Sequence, residues 1–263
     1  NSMKAREVRI PAALVDVVVI DESQRQGYEL VYDAAVSGER FTHDLEAQTV
    51  QFSPRLVIAK RARQELVDDA VINFGFGIPD QVAKLIARDG MSDRYYQTIE
   101  HGTYGGRLMD GDLFGYAMNP NCMIDGPSQF DFYSGGGLDI AFLGFGEIDA
   151  AGNVNVSKLA GNTVGPGGFI DIAQNAHTVV FCGTFDTGGT RLEIGKGRLE
   201  IATHGRIAKL VSEVDQITFS GAQALTQGQR IIYVTERVVF ELTEDGVSLI
   251  EIAPGVDLER DIL

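Results

Sequence analysis

The length, composition and charge of this chain exclude several classes of protein. It has 263 residues, 44% of them hydrophobic, and a formal net charge of −15 at pH 7. The length suits one large α/β domain or two small ones, and an acidic chain lacks the basic surface that nucleic acid and anionic membranes require. No apolar run reaches about 18 residues, so no transmembrane helix is predicted.

The N-terminal residues and the cysteines predict a cytoplasmic protein. The segment from Asn1 to Arg6 lacks the apolar stretch of a signal peptide. The chain has two cysteines, Cys122 and Cys182, which in a protein of this size are interpreted as free thiols in a reducing compartment. The four histidines are scattered without the spacing of metal ligands, so no metal site is predicted.

The first 52 residues show little periodic patterning. Residues 8–20 are rich in β-branched side chains and predict a β-rich stretch that Pro11 interrupts. Residues 21–52 are polar, contain Gly27 and Gly38, and predict a connector with short strands. Because long irregular segments are unusual inside a compact domain, this connector is expected to pack against another part of a larger assembly.

Two helices and a buried strand are predicted next. A Ser-Pro pair at residues 53–54 is typical of the start of a helix. Residues 70–74 predict a short buried strand, Gly75 and Gly77 a turn, and Pro79 the start of a second helix. Such a unit directs backbone N–H groups and a helix N-terminus toward one point, although the full dinucleotide-binding pattern is absent.

The chemically most informative stretch is residues 97–106. Thr98 and Ile99 predict the end of a strand, Glu100 and His101 follow, and Gly102 begins a glycine-rich turn. Open α/β sheets bind ligands at the carboxyl ends of their strands, and glycines let the backbone approach a ligand closely. The local pattern also fits a solvated turn, so the assignment of Glu100 as a reacting carboxylate depends on the rest of the chain.

The remaining sequence predicts strands joined by glycine-rich loops. Gly135, Gly136 and Gly137 precede a buried strand at 138–145 and form a candidate ligand loop. Further strands or hairpins are predicted at residues 154–156, 178–182, 191–203, 217–219, 230–234 and 238–243. Helices alternating with strands at first, and mostly strands later, predict an α/β fold with a mixed sheet and flanking helices.

Motifs spread over nearly the whole chain carry a family resemblance. They lie at residues 71–82, 97–106, 119–120, 127–139, 152–158, 182–185, 233–237 and 252–255. In this order and at these spacings, the chain closely resembles the C-terminal half of a family I coenzyme A transferase, nearest to the single-chain acetate/propionate type. The resemblance is specific because many separate motifs agree.

The resemblance implies a domain organisation. It suggests the NagB/RpiA/CoA-transferase-like fold, in which two related halves pack together. Residues 53–263 would then form the catalytic domain, and residues 1–52 the connector from a missing N-terminal half. The implied partner is the N-terminal half of the same enzyme or a separate subunit, and an oligomer is expected.

The resemblance also implies an activity. Such enzymes move CoA from an acyl-CoA to a free carboxylate by a ping-pong reaction through a glutamyl-CoA thioester, and the family pattern places that glutamate at Glu100. By this resemblance, coenzyme A and small carboxylates would be the substrates, and no cofactor is expected. Glycine loops and an uncharged, partly aromatic surround favour short acyl groups such as acetate or propionate.

Further residues receive roles by the same resemblance. Asn73 and the backbone near Gly75 and Gly77 would face the reacting atoms and stabilise an oxyanion. Contacts with CoA are implied for Gly75, Gly77 and Gly102, and for the glycine run Gly135, Gly136 and Gly137. Lys158 is either a partner of a CoA phosphate or an ordinary surface lysine.

Alternatives remain open at this point. The same scaffold could serve an acyl-CoA hydrolase, in which water resolves the thioester, or a non-catalytic subunit that binds CoA or a partner. His101 stands where related proteins often carry Asn, Pro or Ala. It could pack beside the site as a turn residue or tune the local charge near Glu100.

Overall fold

The computed structural model describes residues 4–5, 8–24, 30–45 and 49–263. Within these ranges the α-helices are α1 (Pro54–Ala62), α2 (Asp80–Arg88), α3 (Gly126–Ser134), α4 (Phe169–Asn175), α5 (Gly221–Gln227) and α6 (Leu258–Asp261). Short 3-10 helices span Ala12–Leu14, Arg63–Glu65, Ser92–Arg94 and Gly111–Leu113. The strands are β1 (Val71–Phe74), β2 (Tyr96–Ile99), β3 (Thr103–Tyr104), β4 (Arg107–Leu108), β5 (Ala117–Met118), β6 (Cys122–Met123), β7 (Ile140–Gly144), β8 (Glu147–Ile148), β9 (Val154–Asn155), β10 (Lys158–Leu159), β11 (Asn162–Thr163), β12 (Thr178–Cys182), β13 (Asp186–Thr187), β14 (Arg191–Gly195), β15 (Arg198–Thr203), β16 (Ile207–Ala208), β17 (Arg230–Val234), β18 (Val238–Thr243) and β19 (Gly246–Ile252).

One nine-stranded mixed sheet organises the described chain, and five two-stranded sheets accompany it. Its strand order is β19-β18-β17-β12-β7-β1-β2-β3-β6. The central strands from β17 to β2 pair in parallel, and antiparallel hairpins complete both sides. The predicted α/β fold with a mixed sheet and flanking helices is confirmed.

The central strands are buried on both faces because alternate side chains enter different cores. In β12, Val180 and Cys182 pack with α1 and α2, whereas Val179 and Phe181 pack on the opposite face with α4 and α5. The same alternation runs through β7 and β17. Strands covered on both faces read as continuous apolar runs, which is why they were recognisable in the sequence.

Local sequence signals account for the first βα unit. The Ser53 hydroxyl accepts a hydrogen bond from the Leu56 N–H at 3.3 Å, and Pro54 occupies the first turn of α1, as the Ser-Pro pair predicts. β1 then leads through the glycine turn into α2, whose buried side chains include Val82, Leu85 and Ile86. The predicted helix starts and the predicted strand are therefore confirmed.

The N-terminal segment differs from its prediction. Among the described residues 8–20 there is no strand, but a 3-10 turn at Ala12–Leu14 and irregular backbone in which Val17 and Ile20 are 77% and 84% exposed. β-Branched residues favour extended backbone, but a strand also needs a partner to accept its hydrogen bonds. No described strand pairs with this stretch.

The predicted connector is hydrogen-bonded to this same domain through Asn119. Asn119 donates to the Thr42 carbonyl at 2.8 Å and accepts from the Thr42 N–H at 3.0 Å, and its own N–H bonds the Ala35 carbonyl at 2.8 Å. The described residues of the connector form turns, without the short strands that were expected. Residues 25–29, with Gly27, and residues 46–48 lie outside the described ranges, as does most of the Asn1–Arg6 segment, and the division at residue 52 stays a prediction.

Two further local predictions have different outcomes. The hairpin expected at 191–203 is present as β14 and β15. The strand expected at 217–219 was wrong, since Phe219 makes an isolated bridge with Val154. Among the described residues no helix has the length and apolarity needed to cross a membrane.

Candidate active site

Glu100 and Asn73 meet at the carboxyl edge of the parallel strands. β1 and β2 pair in parallel with Asn73 opposite Thr98, so the residues that end these strands lie side by side. The Asn73 amide Nδ2 donates to Glu100 Oε2 at 3.2 Å. Glu100 is half-buried, whereas Asn73 is fully buried. The structure therefore brings together the two residues that the resemblance singles out for catalysis.

A buried polar chain continues behind Asn73. Its Nδ2 also lies 3.3 Å from the Tyr133 hydroxyl, which is 2.6 Å from Thr98 Oγ1, and Thr98 Oγ1 donates to the Ile72 carbonyl at 2.9 Å. Burial raises the pKa of Tyr133 to about 12, so its hydroxyl is protonated at neutral pH. Nothing local in the sequence shows that α3 places Tyr133 under Asn73.

Glu100 opens into a cavity of about 500 Å³, which we call the Glu100 cavity. Its aromatic lining comprises Phe76, Phe114, Phe145 and Phe169. Among the described residues that line it, Glu100 is the sole ionisable side chain, and there is no serine or cysteine. A nucleophile acting in this cavity is therefore expected to be Glu100.

The loop at residues 164–168 forms another wall of the Glu100 cavity. Gly165 and Gly167 have positive φ values of 87° and 55°, and the N–H groups of Val164 and Gly165 donate to the Ser157 carbonyl at 2.8 and 3.0 Å. The sequence shows this loop as glycine-rich, but its position became evident once β7 and α4 were packed together. It is a lining element to which sequence reasoning had assigned no role.

Gly75 lines the Glu100 cavity, but the N–H groups of both turn glycines have partners within the chain. The Gly75 N–H donates to the Phe142 carbonyl at 2.8 Å, and the Gly77 N–H donates to Asp80 Oδ2 at 3.3 Å. In this conformation neither N–H is available to an oxyanion. The Asn73 amide is thus the donor that the structure places against Glu100, and a CoA contact at either glycine stays a prediction.

The geometry of its turn explains why residue 102 is a glycine. Its φ is +101°, and an added Cβ would lie 2.0 Å from the Ile124 carbonyl oxygen. Only glycine fits a turn that combines this backbone conformation with this close approach. The residue thereby permits the tight β2–β3 turn beside Glu100, and its predicted contact with CoA is untested.

The 135–137 glycine run does not lie with Glu100. The run lies between α3 and β7, close to Asp139. The Asp139 N–H donates to the Val71 carbonyl at the start of β1, whereas Glu100 lies at the opposite, carboxyl edge of the strands. Gly136 has φ +86° where the helix ends, and an added Cβ on Gly137 would overlap the Phe132 ring at 2.4 Å. Helix termination and packing on Phe132 thus give this run a structural reason. Its contact with CoA stays a prediction that the Glu100 cavity does not support.

Lys158 lies beside the Glu100 cavity and is already paired. Its Nζ is 3.0 Å from Asp215 Oδ1, and both side chains are 41% exposed, while the neighbouring Leu159 lines the cavity. Such an exposed pair is weak, of the order of 0–1 kcal/mol, so a phosphate could compete for the lysine. The structure is compatible with both interpretations of Lys158.

A second lysine near the Glu100 cavity escaped sequence analysis. Lys209 is half-buried, its Nζ lies 3.4 Å from the Phe145 carbonyl oxygen and 5.1 Å from the Phe145 ring centroid, and burial lowers its pKa. Because Phe145 lines the cavity, this cation offsets part of the general negative field close to the site. No motif or spacing in the sequence marked Lys209 as a candidate site residue.

His101 packs on the neighbouring loop. The residue is exposed, and a Cβ added to Gly115 would meet the imidazole at 2.5 Å. This contact favours the interpretation of His101 as a turn residue packed beside the site. Across the described ranges no cluster of histidine, cysteine, aspartate and glutamate is suited to a metal ion.

The comparisons with curated proteins identify relatives over the full chain. The chain is 43% identical over 263 residues to the acetate CoA-transferase YdiF of Escherichia coli O157:H7, covering 100% of this chain and 50% of the relative. It is 41% identical over 271 residues to the caffeate CoA-transferase of Acetobacterium woodii, of which it covers 52%. The acetate CoA-transferase subunit beta of Haemophilus influenzae is 28% identical over 77% of this chain and 85% of that subunit. No family model matches the chain.

Solved structures agree with the sequence relatives. The apoenzyme of the E. coli O157:H7 acyl-CoA transferase YdiF superposes with a TM-score of 0.85 at 42% identity, over 99% of this chain and 49% of that chain. A structure described as the thioester complex of the same enzyme with CoA superposes with a TM-score of 0.81, over 99% and 48% of the two chains. The present chain thus spans about half the length of these relatives, and it belongs to the family I coenzyme A transferases as one half of such a chain.

Proposed function

We propose that the chain is the glutamate-bearing half of an enzyme that transfers CoA from a short-chain acyl-CoA to a free carboxylate. The observation that carries this proposal is that Glu100 is the sole ionisable group among the described residues lining its cavity. The names of the relatives, acetate and caffeate CoA-transferase, support the same reaction type.

The proposed reaction proceeds by covalent catalysis with ping-pong kinetics. The Glu100 carboxylate attacks the thioester carbonyl of acyl-CoA, the C–S bond breaks, and a mixed anhydride and CoA thiolate form. The thiolate then attacks the Glu100 carbonyl carbon, which yields a glutamyl-CoA thioester and releases the first carboxylate. The acceptor carboxylate reverses these steps, so that no proton, oxidant or metal is consumed.

Asn73 is placed to assist both attacks on carbonyl carbon. Its Nδ2 is 3.2 Å from Glu100 Oε2, so the same N–H can stabilise negative charge on that oxygen when the thiolate adds to the anhydride. Donors of this kind contribute about 10²–10³-fold to the rate of acyl transfer. Because the Asn73 side chain is fully buried, its position is set before substrate binds.

A second half of the enzyme is part of the proposal. The chain covers about half of its full-length relatives, and a separate beta subunit aligns with 77% of it. Four consecutive apolar side chains are 74–84% exposed, with no covering element among the described residues: Val17, Val18, Val19 and Ile20. A partner half, either in the same polypeptide or as a second subunit, would cover such a surface, and an oligomer is expected.

The size and lining of the Glu100 cavity favour a small acyl group. Its aromatic lining and its volume of about 500 Å³ suit a small apolar group at the end of the pantetheine arm. We therefore keep acetate and propionate as the proposed acids. Higher turnover per Michaelis constant with medium-chain acyl-CoA than with acetyl-CoA would contradict this choice.

The test of the function is intact-mass and peptide mass spectrometry. The protein with its partner half is incubated with propionyl-CoA in the absence of an acceptor, and a CoA adduct is expected on the peptide that contains Glu100. A Glu241→Gln variant, which changes a half-buried glutamate on β18, should form the same adduct, and Glu100→Ala should form none. An adduct on Cys122 or Cys182, or the absence of any adduct in the unmutated protein, would refute the proposed mechanism. Loss of the adduct to water without an acceptor would identify a hydrolase.

A further inference from the structure

The hydrogen bonds behind Glu100 run in one direction only. The Ile72 carbonyl can only accept, so the single hydroxyl hydrogen of Thr98 is given to it at 2.9 Å. With that hydrogen placed on the Ile72 carbonyl, the Tyr133 hydroxyl is assigned as the donor in its 2.6 Å contact with Thr98 Oγ1. Its hydrogen is thus committed, and the Tyr133 oxygen is left as an acceptor.

That direction determines which way the Asn73 amide faces. The amide nitrogen carries two hydrogens, and the two acceptors within reach are the Tyr133 oxygen at 3.3 Å and Glu100 Oε2 at 3.2 Å. Rotating the amide by half a turn would place Asn73 Oδ1 against two oxygen atoms with no hydrogen between them. The orientation of an amide is assigned from such a network, and here the network favours the orientation with Nδ2 toward Glu100.

This orientation of the Asn73 amide leaves one buried polar atom without a hydrogen bond. Asn73 Oδ1 is buried and has no hydrogen-bond partner among the described residues. An unsatisfied buried acceptor is unfavourable by about 1–3 kcal/mol. The Asn73 amide thus leaves its oxygen unpaired while its two hydrogens point to the Tyr133 oxygen and to Glu100. This arrangement favours a positioning role for the amide over a role in packing alone.

We propose that Tyr133, anchored by Thr98, is a positioning residue that holds the Asn73 amide with its N–H toward the Glu100 carboxylate. Tyr133 is fully buried, so it does not contact substrate and acts through Asn73. The inference deepens the proposed function and rests on it, because the orientation matters when charge develops on the Glu100 oxygen.

Replacing the hydroxyl tests this role with little change in packing. Tyr133→Phe keeps a ring that packs against Phe130 at a centroid distance of 6.2 Å and removes the acceptor for one Asn73 hydrogen. The matched control is Tyr233→Phe. Tyr233 is also fully buried and loses one hydrogen bond, from its hydroxyl to the Gly152 carbonyl at 2.7 Å, in a part of the fold that does not line the Glu100 cavity.

The first measurement is the rate constant for CoA-adduct formation on the Glu100 peptide, in the protein with its partner half. Tyr133→Phe is expected to slow this step roughly 10-fold while the Michaelis constant for acyl-CoA changes less than about 2-fold. Thr98→Val should behave in the same way, Thr98→Ser should restore the rate, and Tyr233→Phe should react like the unmutated protein. A purely structural effect would lower the amplitude of the adduct, through loss of folded protein, and leave the rate constant unchanged.

The second measurement does not need the reaction. In protein labelled with ¹⁵N at asparagine, hydrogen exchange of the Asn73 side-chain amide is expected to be faster in Tyr133→Phe and unchanged in Tyr233→Phe. Equal exchange and equal adduct rates in the two tyrosine variants would overturn the positioning role. Faster exchange in Tyr133→Phe, together with no Glu100 adduct in any protein, would support the positioning of Asn73 and refute the proposed function, so the two failures are distinguishable.

Discussion

The strongest test of the geometry at Glu100 is a change of one methylene. Glu100→Asp keeps the charge but withdraws the carboxylate by about 1.5 Å, the length of one C–C bond. The contact between Asn73 Nδ2 and Glu100 Oε2 is 3.2 Å in the present structure, so this withdrawal takes the shortened carboxylate out of hydrogen-bonding range.

The expected loss follows from the same distances. A nucleophile must approach the reacting carbon to about 3–3.5 Å, and a displacement of about 1 Å costs roughly 100-fold in rate. Loss of the Asn73 donor adds a further factor that can reach about 10²-fold. We therefore expect Glu100→Asp to lose at least about 100-fold in kcat, with a smaller change in the Michaelis constant for acyl-CoA.

The assay is acceptor-dependent transfer of CoA, with the partner half present, combined with mass spectrometry of the Glu100 peptide. Glu241→Asp is the control, since it shortens a half-buried glutamate that pairs with Arg230 at 3.1 Å, outside the Glu100 cavity. Matching thermal unfolding curves would show that the fold is preserved in both variants. Retention of more than about a tenth of the activity by Glu100→Asp would refute the argument from reach.

Three further predictions concern other parts of the chain. Asn73→Ala should lower kcat about 10²–10³-fold, measured by the same transfer assay, and an unchanged kcat would remove the amide from the mechanism. Iodoacetamide should alkylate exposed Cys122 and spare Cys182, whose burial raises the thiol pKa; peptide mapping that finds both modified in the native protein would contradict this. Arg237→Met should lower the free energy of unfolding by about 3–5 kcal/mol in urea titrations, since Arg237 is fully buried and pairs with Asp186 at 2.8 Å; a change below about 1 kcal/mol would show that the pair is dispensable.

Much of the scaffold was predictable because its signals are local. The Ser-Pro pair before α1 and the continuous apolar runs of β1, β7 and β12 specify elements whose positions the structure confirms. The stretch at 8–20 shows the limit of this reasoning. Its β-branched residues favour extended backbone, but pairing is a non-local condition that residue type does not contain.

The same distinction applies to the glycines. The glycine-rich stretches at Gly75, at Gly102, at 135–137 and at 164–168 are equally visible in the sequence. Of these four, only the turn at Gly75 and the 164–168 loop line the Glu100 cavity. The 135–137 run instead ends α3 and packs on Phe132. Local composition indicates where the backbone can bend or approach closely, but it does not identify what it approaches.

For this protein, the sequence by itself determined the fold class, the family resemblance and the choice of Glu100, because motif order, apolar runs and turn chemistry are written along the chain. Only the tertiary structure decided which residues surround that glutamate. Asn73, Thr98 and Tyr133 are separated by as many as 60 residues and meet because β1 and β2 pair in parallel while α3 packs beneath them. A hydrogen-bond direction is a property of such an assembled network, and no single segment of the chain contains it.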